Sequence, residues 1–308
     1  MTARTRMAVL VLSRHPHSLR RCLSNLVEQL AEDDDLLIAH DVGDHESPVV
    51  ALDLCRSAVP VRVTKPAYSD ALTAGARATG ADAIAVLEDD MVAMNGWLPA
   101  LRDHLEQSPS TGAVGGPVLT FRGVRTTNSF FEGGTLEQVT RMGRYHDLLH
   151  EIPAKVWNED IGFLARGNVA FRRELFDHGD LSRLKDMSPA VEWRLAQTVR
   201  HLGLRVVYDS RIRVEQHVPA EAPVRVELER AARSMGYSAA VILGDAPQRV
   251  DRLAALSWWM LVGTRRSPGL LLACTASLRG RGWPRVCLAA AHGRLLALPV
   301  SIRSLAKA

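Results

Sequence analysis

Three consecutive acids, Glu88-Asp89-Asp90, follow directly on the apolar run of residues 83–87, AIAVL. Like charges this close repel, so the arrangement costs stability unless a cation or a hydrogen-bond network compensates. Mg2+ or Mn2+ would do so, because hard divalent ions take carboxylate oxygens and bridge readily to phosphate. A solvated acidic turn is the plain alternative; the strand character of 83–87 weighs against it by fixing the acids at a strand end, where α/β proteins bind ligands. No GxSxG or paired Cys and His signature points to a covalent nucleophile.

The elements that would position these groups read as alternating strands and helices. Residues 7–12 (MAVLVL) have the unbroken apolar character of a strand buried on both faces. Residues 17–30 repeat apolar side chains at Leu19, Cys22, Leu23, Leu26, Val27 and Leu30, which is helical spacing. Residues 36–39 and 61–63 read as strands, 71–79 as an Ala-rich helix closed by Gly80, and 83–87 as a strand. This order implies a mostly parallel α/β sheet covered by helices. Further on, 114–121 reads as one strand, 123–150 as a long loop, 191–202 as a helix, and 205–208 and 212–217 as strands.

These residues resemble the family 2 glycosyltransferases, inverting nucleotide-sugar enzymes with the Rossmann-like GT-A fold. The resemblance rests on Leu10-Val11-Leu12-Ser13, on a second strand ending at Asp41 (Asp44 is the alternative), on Thr73-Ala74-Gly75, and on the strand leading into Glu88-Asp89-Asp90. It continues through Gly167-Asn168-Val169-Ala170-Phe171-Arg172-Arg173, through Glu192 counted back from Gly203, and through Arg211–His217, covering roughly residues 6–218. Thr73 stands where the family has Asn, Glu88 where it has the first Asp, and Val191 where it has the first acid of an acidic pair. The resemblance implies that Ser13, Asp41, Asp89, Gly167 and Asn168 contact the nucleotide-sugar. It also implies that Asp90, with Glu88 and His217, holds a divalent cation (Mg or Mn), and that Glu192 is the general base. Arg166, Arg172 and Arg173 become candidates for phosphate contact, or an Arg pair on a solvated helix start. Asn158-Glu159-Asp160 supplies a second acidic pair, out of place for the base. A sugar-phosphate nucleotidyltransferase is the enzymatic alternative, although the Gly-rich loop it needs after the first strand is missing from Ser13-Arg14-His15-Pro16-His17. An inactive membrane-associated scaffold is the non-enzymatic one.

The 308 residues are 47% hydrophobic and 23% charged, proportions that exclude a disordered, collagenous or disulfide-dense protein. The net charge of +4 hides an uneven distribution. Residues 249–308 carry ten Lys and Arg against the single Asp251, a charge of +9, and the remainder is −5. The expected division is therefore a GT-A domain over 1–220 and a helical, Arg-rich extension over 221–308. Apolar blocks there, with Trp258 and Trp259, are too short to cross a bilayer but suit a helix lying on an anionic membrane; a cap on the core or a dimer surface is the equal alternative. Nucleic-acid binding is not expected, since no recognition motif accompanies the charge. Four scattered cysteines suit a reducing compartment, and residues 7–12 are too short for a signal-peptide core. The expectation is a cytoplasmic enzyme, at the membrane's cytoplasmic face if the extension binds lipid. Its donor would be a UDP-sugar by default, and its acceptor a glycan or lipid-linked hydroxyl in cell-surface glycan synthesis.

Overall fold

The computed structural model describes residues 4–64, 68–116, 118–122, 164, 166–178, 188–209, 211–218 and 292. The expected loop over 123–150, the Asn158-Glu159-Asp160 pair, and the extension over 221–308 apart from His292 lie outside the described residues. Nearly everything described belongs to a compact unit comprising Met1–Gly123, His146–Asp186 and Val191–Val218.

Its centre is β1 (Met7–Leu12), six residues that are all buried. β1 pairs in parallel with β2 (Asp35–Asp41) on one side and β4 (Ala83–Glu88) on the other, and β3 (Val59–Val63) extends the sheet beyond β2. A strand covered on both faces has no place for a polar side chain, which is why MAVLVL and AIAVL read as unbroken apolar runs. The far half of the sheet contains β6 (Thr111–Gly115), β8 (Val169–Arg172) and β9 (Arg205–Tyr208), giving the order β3-β2-β1-β4-β8-β6-β9. β8 alone runs antiparallel, between β4 and β6. A smaller sheet joins β5 (Met91–Ala93), β10 (Val214–Val218) and β7 (Val118–Arg122), with β10 in the middle.

Helices flank the main sheet. α1 (Pro16–Leu26) opens on a proline, whose missing N–H is no loss in a first turn, and buries Leu19, Cys22, Leu23 and Leu26. It packs on α2 (Glu46–Leu54), while α3 (Tyr68–Ala78) packs against β1, β2 and β3, and α4 (Trp97–Gln107) against β6. α5 (Leu175–His178) is a single turn, and α6 (Ser188–His201) carries Glu192. The architecture is the mostly parallel, helix-covered GT-A sheet that the resemblance implies.

Several sequence expectations change. The helix expected over 17–30 ends at Leu26 and tightens into a 3-10 turn, Val27–Gln29. α2 went unread because its apolar residues form no stripe: Ser47 and Ala51 face inward while Val49 and Leu52 are exposed. The single strand expected over 114–121 is two strands in different sheets. The chain breaks at Gly116, where a Cβ would lie 2.1 Å from the carbonyl oxygen of Ile212 and 2.4 Å from that of Asp209, an approach only glycine permits.

Candidate active site

Parallel pairing brings the ends of β1, β2 and β4 to one edge, since Leu12 aligns with Ala39 and with Glu88. Because β8 runs the other way and Val169 aligns with Val86, Gly167 and Asn168 enter the sheet at that same edge. β10 completes it: Gln216 aligns with Met91, and the His217 amide donates to the Asp90 carbonyl at 2.7 Å. Segments from four parts of the chain thus meet around the three acids.

Each acid is occupied differently. Glu88 forms an ion pair with Arg166. Asp89 is 3% exposed, and its Oδ2 accepts the amides of Arg14 and His15 at 2.6 and 2.5 Å. Burial raises the Asp89 proton affinity and these two bonds oppose the rise, so this carboxylate anchors the loop between β1 and α1. Asp90 keeps one oxygen open: Oδ2 accepts from Gln216 Nε2 at 2.9 Å, while Oδ1 is buried without a partner. Burial, then the Glu88 charge, push the Asp90 carboxyl up to about 6.

Glu192 is 1% exposed, and both its oxygens are buried without a hydrogen-bond partner. Burial pushes its carboxyl up to about 8, against the pull of the Arg166 charge. The Arg166 guanidinium lies 4.5 Å from the centre of the Tyr68 ring, a cation-π contact. Burial works against the Arg166 charge, but Glu88, Glu192 and Tyr68 more than offset it. Burial, followed by Glu192, raises the Tyr68 hydroxyl well above its ordinary value. Tyr68, Glu88, Arg166 and Glu192 therefore act on one another as a single charged cluster.

The other expected site residues are placed as follows. Ser13 is buried, its hydroxyl 2.7 Å from that of Ser47. Asp41 ends β2 and turns Oδ1 onto the Gly43 amide at 2.8 Å. Asp44, the alternative to Asp41, accepts the Glu46 and Ser47 amides, both at 3.0 Å, and so satisfies donors left open at the start of α2. Partial burial opposes its ionisation, yet these bonds hold it below the usual carboxylate range. Gly167 has φ of +75°, and a Cβ there would lie 2.5 Å from Met91 Sδ, so glycine lets this segment close on the acidic turn. Asn168 is fully buried: its Oδ1 accepts from Trp97 Nε1 at 2.8 Å and its Nδ2 donates to the Ile212 carbonyl at 2.9 Å. Its amide ties α4 and the approach to β10 to the site edge. The His217 ring is 3.6 Å from Glu215, and burial, followed by the Arg21 charge, lowers its proton affinity.

The expectation of a phosphate contact is corrected for Arg172, while Arg173 fits the alternative of a partly exposed arginine at a helix start. Arg172 ends β8 and aligns with Ala83, at the opposite end of β4 from the acids. Its guanidinium donates to the carbonyls of Thr111, Leu105 and Ser108 at 2.7, 2.8 and 3.3 Å, satisfying acceptors near the end of α4. Arg173 pairs with Asp177 at 3.5 Å. Sequence reasoning missed Gln216, although it sits beside His217 in Glu215-Gln216-His217, and missed Tyr68, which no local pattern marks.

Among the described residues no group of three or more His, Cys, Asp and Glu side chains is assembled for a metal ion. The donor chemistry at Asp90 nonetheless fits a hard cation, because a buried carboxylate oxygen without a partner is what such an ion completes.

A family model described as glycosyl transferase family 2 matches residues 9–179. No curated protein matches the chain in sequence. Among solved structures, the chain is similar to a mannosyltransferase from Pyrobaculum calidifontis in complex with GDP-Man and Mn2+, with TM-score 0.56 and 16% identity over 96% of this chain and 88% of that one. It is also similar to GalNAc-T7 with UDP, GalNAc and Mn2+, with TM-score 0.53 and 11% identity over 80% of this chain and 51% of that one. At these identities the two likenesses establish the fold.

Proposed function

The chain belongs to glycosyl transferase family 2, and we propose that it transfers a sugar from a nucleotide-sugar donor to a hydroxyl acceptor by a cation-dependent, inverting displacement. Family membership sets aside the nucleotidyltransferase alternative. The observation that carries the reading is an acid with an open buried oxygen, Asp90, in a turn whose Glu88 is linked through Arg166 to a second buried acid of raised proton affinity, Glu192.

In this reaction the acceptor oxygen bonds to the anomeric carbon as the bond to the diphosphate oxygen breaks, and the configuration inverts. A divalent cation bound there would supply positive charge against the leaving diphosphate. Asp90 would hold it, with His217, whose backbone is bonded to that of Asp90, as the neighbouring donor. Glu192 takes the acceptor's proton. A carboxyl at about 8 is a stronger base than an ordinary one and is still partly ionised at neutral pH. Asp89 and Gly167 shape the site through the backbone. Asp41 and Ser13, at the ends of β2 and β1, stand on the nucleotide side of the edge.

The two similar structures hold a guanosine and a uridine nucleotide with Mn2+. Both support a nucleoside diphosphate donor here, with uridine as the default from the family resemblance. The acceptor is a glycan or lipid-linked hydroxyl in cell-surface glycan synthesis. The scattered cysteines and the shortness of the 7–12 run support a cytoplasmic placement, and the +9 charge of residues 249–308 supports contact of that extension with an anionic membrane. The test is turnover of a panel of nucleotide-sugars by the full chain with Mn2+. Glu192→Gln should lower it by about 10²–10⁴-fold, and wild-type turnover in that variant would refute the base assignment. Activity surviving Glu192→Ala but lost in Glu159→Ala would move the role to Glu159.

A further inference from the structure

Arg166 carries more structure than a chance surface arginine. It pairs with Glu88, stacks on Tyr68, and has its Nη2 buried without a hydrogen-bond partner. Glu88 and Asp90 are two residues apart in the acidic turn, and their carboxylates meet different fates. That of Glu88 is taken by the guanidinium, while Asp90 retains a buried, open oxygen.

We propose that Arg166 is a positioning residue acting as the built-in counter-cation of the site. It withholds Glu88 from the divalent ion, leaves Asp90 as the carboxylate that receives it, and links Glu88 electrostatically to Glu192. The inference rests on the proposed function insofar as a cation sits at Asp90.

Three observations carry it. First, Arg166 Nε engages Glu88 Oε1, so a metal that took this oxygen would have to compete with the guanidinium, and separating a largely buried ion pair is unfavourable. Second, the Tyr68 ring holds the guanidinium from its face, so Arg166 has little room to swing away. Third, Asp89 Oδ2 is taken by the Arg14 and His15 amides and Glu88 Oε1 faces Arg166, whereas Asp90 Oδ1 is buried with neither a donor nor a cation against it. The Glu that replaces the family's usual first Asp is one methylene longer, which lets its carboxylate reach Arg166.

The experiment is Mn2+ titration of the full chain, read by the loss of free-ion electron paramagnetic resonance signal. It compares wild type, Glu88→Gln, Asp90→Asn, Arg166→Met and the Arg166→Met/Glu88→Gln double variant. Asp90→Asn should lose about tenfold or more in affinity, as for a lost ligand, and Glu88→Gln should bind as wild type does. Arg166→Met frees a carboxylate beside Asp90 and should bind Mn2+ about tenfold more tightly, since ligand charge sets affinity for hard cations. That gain should vanish in the double variant. A purely structural arginine would give the opposite sign, with weaker binding as the site loosens. A tenfold loss in Glu88→Gln, or no gain in Arg166→Met, overturns the inference. If Arg166→Met does not fold, Glu88→Gln, which preserves side-chain volume, decides alone. If wild type binds no Mn2+, the cation reading of the function fails, and the inference then stands or falls on whether Arg166→Met acquires binding.

Discussion

Replacing Glu192 by glutamine removes an ionisable group while preserving its shape, and the structure fixes how stability should respond. In the folded chain burial pushes the carboxyl up to about 8, against an ordinary value of 4.5. The folded state therefore binds the proton more tightly than the unfolded state does. Folding takes up a proton at pH values between the two, and stability falls as pH rises through that window, levelling off above the folded value. Between about pH 6 and about pH 9 the wild-type chain should lose roughly 2–3 kcal/mol from this group alone. Glutamine has no such penalty. Denaturant unfolding of the two proteins at both pH values isolates the effect, because other titrating groups cancel in the difference. Glu192→Gln should gain on wild type by about 2–3 kcal/mol as pH rises, a shift of several degrees in melting temperature for a chain of this size. The same variant should lose turnover by about 10²–10⁴-fold, so the acid costs stability where it serves chemistry. Parallel curves for the two proteins from pH 6 to 9 would refute the claim that Glu192 is buried with raised proton affinity.

Other variants probe the supporting structure. Asn168→Ala leaves the Trp97 indole N–H and the Ile212 carbonyl without their amide partner and should cost about 2–4 kcal/mol, with a change in tryptophan fluorescence as the local readout. Gly167→Ala meets both a left-handed backbone and Met91 Sδ; chemical denaturation should show a loss of about 1–3 kcal/mol, which Met91→Ala relieves only in part because the backbone strain remains. Arg172→Met should lower stability by about 2 kcal/mol as the Thr111 and Leu105 carbonyls lose the guanidinium, yet leave the donor KM unchanged; a raised KM would restore the phosphate role that its place at the far end of β4 denies.

Much of this was legible in the sequence where one physical constraint dominated. MAVLVL and AIAVL announced buried parallel strands because both faces of β1 and β4 are covered, and the acids followed at the ligand edge by topology. The resemblance pointed to Glu192 and His217 by their order along the chain, and in the fold β10 pairs with the strand that follows Asp90. What stayed hidden depended on partners distant in sequence. The division of labour among Glu88, Asp89 and Asp90 is set by Arg166, by the Arg14 and His15 amides, and by Gln216, none of which a run of three acids reveals. The resemblance put Asn168 and Arg172 near the ligand but could not show that their side chains satisfy buried backbone and indole groups, a demand visible only once the chain is folded.

The central claim is that Asp90 recruits a divalent cation to hold a nucleoside diphosphate sugar at this sheet edge. Its most direct test is the melting temperature of wild type and Asp90→Asn against a panel of nucleotide-sugars, with and without Mn2+. At ligand concentrations about 100-fold above Kd, binding to the folded state alone adds about 3 kcal/mol. The account predicts that at least one nucleotide-sugar stabilises wild type only when Mn2+ is present, and that Asp90→Asn loses the effect. A stabilising donor that ignores both Mn2+ and the Asp90 substitution, or the failure of every donor to stabilise wild type, would contradict it.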